Sequence, residues 1–229
     1  MFSRTCIIVC LLVAAAASFA TAQNQRPFIE QLYDFGNVGI DFNLFHNYAY
    51  INRTGEPVTI TDIEVSCDCS TVIPSDTLVQ PGDTAFFQLT FNTAEYYGLT
   101  NKSFKVFTTD PTAPEIQYFV RAVVGQWFDG MKPSAISLFF IPGKDAQSVR
   151  VTNKKFDEIR ISSVETFDST FAVEVIENKA KQEKALEFRV SPTPDLTRGT
   201  YLSSLTVTIE KADAEQPTIL SIPVKIVRY

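Results

Sequence analysis

The chain has 229 residues, 45% hydrophobic and 12% aromatic, with a formal net charge of −6. That apolar content can fill real cores and excludes wholesale disorder. Residues 23–128 hold 5 Lys/Arg against 12 Asp/Glu and residues 129–229 hold 14 of each, a balance that argues against nucleic acid and anionic lipid as partners.

The N-terminus reads as a secretory signal peptide over residues 1–22. Arg4 supplies the basic start, Cys6 to Ala17 is an apolar run too short to span a bilayer, and Ala20-Thr21-Ala22 places small residues where a signal peptidase reads. Cleavage before Gln23 is expected, and neither Cys6 nor Cys10 stands where a lipid-acceptor cysteine would. The signal peptide takes both with it and leaves only Cys67 and Cys69, so the cores must hold by packing rather than by a disulfide framework. No later segment is apolar enough to act as an integral membrane span, and the signal peptide points to an exported protein of the periplasm, cell surface or exterior.

Strand-forming stretches then follow in order. Phe42 to Ile51 alternates, with His46 on the face of Tyr48 and Tyr50. Thr84 to Phe91, Tyr118 to Val124, Leu205 to Ile209 and Leu220 to Ile226 are also β-rich. Turn signals separate the strands at Arg53 to Pro57, Gln80 to Asp83, Asp110-Pro111 and Ile141 to Gly143. Asn178 to Leu186 has a helical composition and is charged throughout, which reads as an exposed loop or single turn. Many short strands with Pro/Gly turns predict an all-β sandwich fold.

An offset of 101 residues carries Asn52 onto Asn153, Ile60 onto Ile161, Ile63 onto Val164, Glu64 onto Glu165, Gly98 onto Gly199 and Phe104 onto Leu205. One residue of slip then brings Val120 to Val124 onto Ile222 to Ile226. The expected organisation is two tandem immunoglobulin-like β-sandwich domains, residues 23–128 and 129–229. Their joint lies near Gly125 to Gly130. There Trp127 and Phe128 are expected to pack between the domains, and the short tether favours a fixed angle.

Four motifs occur in order: Tyr33-Asp34-Phe35-Gly36, Asn52-Arg53-Thr54-Gly55, Ser66-Cys67-Asp68-Cys69-Ser70 and Pro81-Gly82-Asp83. With them, residues 31–124 resemble a bacterial extracytoplasmic family of immunoglobulin-like domains of unknown function, related to the Hydin and major-sperm-protein class of sandwiches. Arg53 is inserted in the turn, and Asp68 stands where that pattern has glycine. The resemblance implies the fold and an exported location, and no settled activity.

Cys67 and Cys69 are the one chemically unusual pair. Two thiols one residue apart could bind a soft, copper-type metal or do redox work. Alternatively, they continue the alternation of Ile63 and Val65 and face a core as small buried residues. A disulfide is awkward for same-face residues of a regular strand, and Asp68 makes a sharp bend harder, so reduced and poorly accessible thiols are expected. The offset maps the segment to Asp168-Ser169-Thr170, so the fold does not require the cysteines. The remaining soft donors are His46 and Met131, too few for a structural zinc. Nucleophile-elbow, metalloprotease, phosphate-loop and haem motifs are absent, so no enzyme and no cofactor is expected. The leading expectation is a non-enzymatic interaction or structural module of the bacterial cell envelope with a protein or envelope component as partner. The alternative is a metal or redox site at Cys67 and Cys69.

Overall fold

The computed structural model describes residues 27–125, 130–212 and 214–229. The expected signal peptide and the Trp127–Phe128 joint lie outside the described residues. All regular structure described is β, as expected. The first half forms β1 (Leu32–Val38), β2 (Asn43–Ile51), β3 (Val58–Val65), β4 (Ser70–Pro74), β5 (Leu78–Val79), β6 (Thr84–Asn92), β7 (Gly98–Thr108) and β8 (Glu115–Val124). The second forms β9 (Met131–Pro133), β10 (Leu138–Phe140), β11 (Gln147–Asn153), β12 (Glu158–Thr166), β13 (Phe171–Glu177), β14 (Lys179–Lys181), β15 (Ala185–Pro192), β16 (Gly199–Lys211) and β17 (Ala214–Arg228). The charged stretch at Asn178 to Leu186 is therefore a loop only in part, turning through the exposed Gln182, Glu183 and Lys184. It holds β14 and the start of β15, because Ala180 and Leu186 alternate into the core while the charged residues face out.

The strands make sandwich-like layers around two cores. Sheet β2-β6-β4 and part of a ten-stranded sheet enclose the first, which is rich in aromatics: Phe35, Tyr48, Tyr50, Phe87, Phe91, Phe104 and Tyr118 are all buried. Sheet β13-β15-β11-β9 and the rest of the large sheet enclose the second, which is mostly aliphatic: Val149, Val151, Ile159, Leu186, Leu205, Val207 and Ile222.

The offset of 101 holds down to single hydrogen bonds. The Asn52 side chain donates to Val79 O at 2.8 Å, and that of Asn153 donates to Ala180 O at 3.1 Å. The Gly82 N–H donates to Asn52 O, and the Glu183 N–H donates to Asn153 O. The bulge between Ile60 and Asp62 recurs between Ile161 and Ser163. The last strand departs from the sequence reading. Phe104 faces Tyr118 while Leu205 faces Ile222, so Tyr118 corresponds to Ile222 and the slip is three residues rather than one. The hairpin beyond Thr208 is longer, and its ladder runs on to Lys211–Ala214. The one-residue and three-residue slips give offsets differing by two, which leaves the facing of every side chain unchanged, so alternation could not separate them.

The two halves share one sheet, in the order β14-β12-β16-β17-β1-β8-β7-β3-β5. β1 runs parallel to β8 along its length and parallel to β17 at Asn37–Leu220. The register of β1 on β8 shifts between Asp34 and Asn37, where Gly36 adopts φ +60° with its N–H donated to Asp34 Oδ1 at 2.8 Å. A Cβ at Gly36 would lie 2.3 Å from Ile219 O, so only glycine allows the approach. The Asn37 amide then donates to Ile219 O at 3.1 Å, and the Ser221 hydroxyl to Phe35 O at 2.7 Å. β17 is long enough to pair β10 through Leu138–Val224 to Phe140–Ile226 while its earlier residues meet β1.

Candidate functional site

β3 ends at Val65 and the chain turns through Ser66 to Cys69 before β4 begins. The Ser70 N–H donates to Cys67 O at 3.3 Å, closing the turn, and the Asn92 N–H donates to Cys69 O at 2.8 Å, tying it to β6. Cys67 and Cys69 are joined by a disulfide with Cα atoms 5.2 Å apart. The expected reduced pair is thus not what the structure holds, while the expected core contact is met by Cys69 alone. The alternation of Ile63 and Val65 stops with the strand, and the turn brings the two cysteines together. Asp68 is no obstacle, because it is not among the residues with positive φ and its position does not need glycine.

Both cysteines are half-buried, Cys69 packs against the first core, and the flanking Ser66 and Asp68 are exposed. The Ser70 hydroxyl lies 3.7 Å from each sulfur. As a disulfide neither sulfur is a thiolate, so the copper-type reading of Cys67 and Cys69 concerns only the reduced chain. The other soft donors are elsewhere. Met131 is buried in the second core. His46 stacks on Tyr33 with centroids 3.6 Å apart, meets Tyr48 edge-on at 4.7 Å, and has Nε2 2.5 Å from Glu30 Oε1. Among the described residues no group of three or more His, Cys, Asp or Glu is gathered to hold a metal.

At the equivalent turn in the second half, Asp168 Oδ1 accepts from the Thr170 N–H at 3.0 Å, the Thr170 hydroxyl at 2.6 Å and the Ser203 hydroxyl at 3.0 Å. The Thr193 N–H donates to Thr170 O at 2.9 Å, as Asn92 does to Cys69. The covalent link in one half is a side-chain hydrogen bond between the same two positions in the other.

Sequence reasoning missed two clefts where the halves meet. The first, about 300 Å³, is lined by Tyr33, Phe45, His46, Glu165, Phe167 and Thr206. Burial pushes the Tyr33 phenol well above its ordinary range, and its hydroxyl donates to Glu165 across the junction at 3.3 Å. The second, about 500 Å³, is largely apolar, with Phe42, Phe45, Leu138, Phe139 and Leu202 among its walls. Tyr33 was visible in the Tyr-Asp-Phe-Gly motif, but nothing local in the sequence signals that β1 lies against the second half.

Residues 27–123 match the family described as a protein of unknown function, DUF1573. That stretch is the first half, and it contains the cysteine turn. No curated protein matches the chain. Among solved structures, a protein of unknown function from Porphyromonas gingivalis is similar at TM-score 0.37 and 12% identity, over 88% of this chain and 98% of that one. The CupB2 chaperone of Pseudomonas aeruginosa is similar at TM-score 0.33 and 12% identity, over 85% and 98%. The E. coli chaperone DraB is similar at TM-score 0.29 and 10% identity, over 83% and 97%. Scores this low carry no function from those proteins to this chain. No described helix is long and apolar enough to cross a membrane.

Proposed function

We propose that the chain is a non-enzymatic module of the bacterial cell envelope, exported by a signal peptide cleaved before Gln23. In this reading it works by binding a protein or other envelope component through two sandwich units, residues 23–128 and 129–229. The observation that carries the reading is the unbroken ten-stranded sheet, which makes one extended platform of both halves. The lone histidine is engaged in packing and pairing, with His46 stacked on Tyr33, edge-on to Tyr48 and paired with Glu30. The relation to Hydin-type sandwiches suggested by the four motifs belongs to the same reading.

The test is fractionation of cells expressing the tagged full chain, followed by sizing of native complexes. The expected result is a chain beginning at Gln23, outside the cytoplasm, in a complex larger than the chain itself. Gly36→Val, which breaks the shared sheet, should shrink that complex without degrading the chain. An uncleaved cytoplasmic chain, or an exported one that runs alone, would contradict the proposal.

A further inference from the structure

A disulfide closed over a single intervening residue removes little conformational freedom from the unfolded chain, so it returns little stability. The second half folds the same turn without one, through Asp168 and Thr170. A bond that the fold does not need is placed half-exposed at the end of a strand, flanked by the exposed Ser66 and Asp68. The buried Ser70 hydroxyl is 3.7 Å from both sulfurs and can donate to either one once it carries charge. Cys69 packs against the core, which leaves Cys67 as the sulfur an incoming thiolate meets.

We propose that Cys67–Cys69 is an exchange-active disulfide that accepts two electrons from an external dithiol. A partner thiolate attacks Cys67 Sγ and forms a mixed disulfide as the Cys67–Cys69 bond breaks. The bonding pair stays on Cys69 Sγ, which accepts the Ser70 hydrogen bond and then takes a proton. The partner's second thiolate attacks its own sulfur in the mixed disulfide and releases Cys67, which is protonated in turn. The cystine has gained two electrons and two protons, and the partner dithiol has become a disulfide. This activity does not depend on the binding role proposed above.

The test uses the full mature chain with dithiothreitol as the dithiol, alkylation and mass measurement as the readout, and circular dichroism to confirm that the fold persists. The expected result is reduction of the folded chain within about 10-fold of the rate in denaturant. Separately, Cys69→Ser should form an adduct with oxidised glutathione at least about 10-fold faster than Cys67→Ser. Cys67→Asp combined with Cys69→Thr, the pair found in the second half, should fold and show no exchange. Reduction of the folded chain about 100-fold or more slower than the denatured one would overturn the proposal, as would adduct formation that is no faster at Cys67 than at Cys69.

Discussion

At residues 67–69 the first half closes its turn with a disulfide, and at residues 168–170 the second half closes the same turn with the Asp168 carboxylate bound to Thr170. A similar contrast recurs two strands on. Gly82 and Glu183 occupy equivalent positions with φ +86° and +63°, and each donates its N–H to the carbonyl of the buried asparagine in its own half. The fold sets a requirement at each position, a turn closed here and a left-handed residue there, and unlike side chains meet it. A residue that one half has and the other lacks is therefore poor evidence of structural need and better evidence of local use.

The largest expected effect breaks the junction. Gly36→Val would drive a side chain into the Ile219 backbone at a left-handed position. A loss of about 3 kcal/mol or more is expected, with the two halves unfolding at separate temperatures in calorimetry. Next come the paired asparagines. Asn52→Ala would remove the side-chain donor to the Val79 carbonyl and one of two donors to that of Glu56, which also accepts from the Thr54 hydroxyl, and Asn153→Ala would remove the side-chain donor to the carbonyls of Phe156 and Ala180. Each should cost about 2–3 kcal/mol in denaturant titrations. Similar costs would sharpen the equivalence of the halves, and a cost in one only would break it.

The response to acid should separate the halves. Asp110 is buried, which taken alone raises its carboxyl pKa, but hydrogen bonds from Thr112, Tyr50 and Ala113 outweigh burial and lower it. A group with a depressed folded pKa adds stability above its unfolded value, near 4, and loses it as pH falls through the lower folded value. Asp110→Asn should therefore weaken the first half at pH 7, by about 1–2 kcal/mol, and make little difference below both values. Strand-resolved NMR during acid titration would check this. The smallest expected effect is a gain. Glu183→Gly relieves a left-handed glutamate and loses only an exposed ion pair with Lys154. Thermal denaturation should show about 0.5–1 kcal/mol of added stability.

Much of this comparison was legible in the sequence. The turn dipeptides bounded the strands, and Asn52/Asn153 and Ile60/Ile161 fixed an offset that the hydrogen bonds follow. The last strand was misplaced because a period-two pattern looks the same after a shift of two. The disulfide was misread because the alternation of Ile63 and Val65 was carried past the point where β3 stops. The shared sheet left no local trace. It rests on a parallel contact between Asn37 and Leu220, set by a glycine whose need for left-handed backbone only its neighbour reveals.

Amide hydrogen exchange on β1 and the early residues of β17 tests the central claim, that one repeated unit is joined into a single sheet. The Leu32–Val38 amides that face β8 or β17 should exchange as slowly as those of β8, and Leu220 as slowly as the rest of its ladder with β16. Exchange at β1 on the timescale of an open edge strand, with β8 and β16 still protected, would contradict the account.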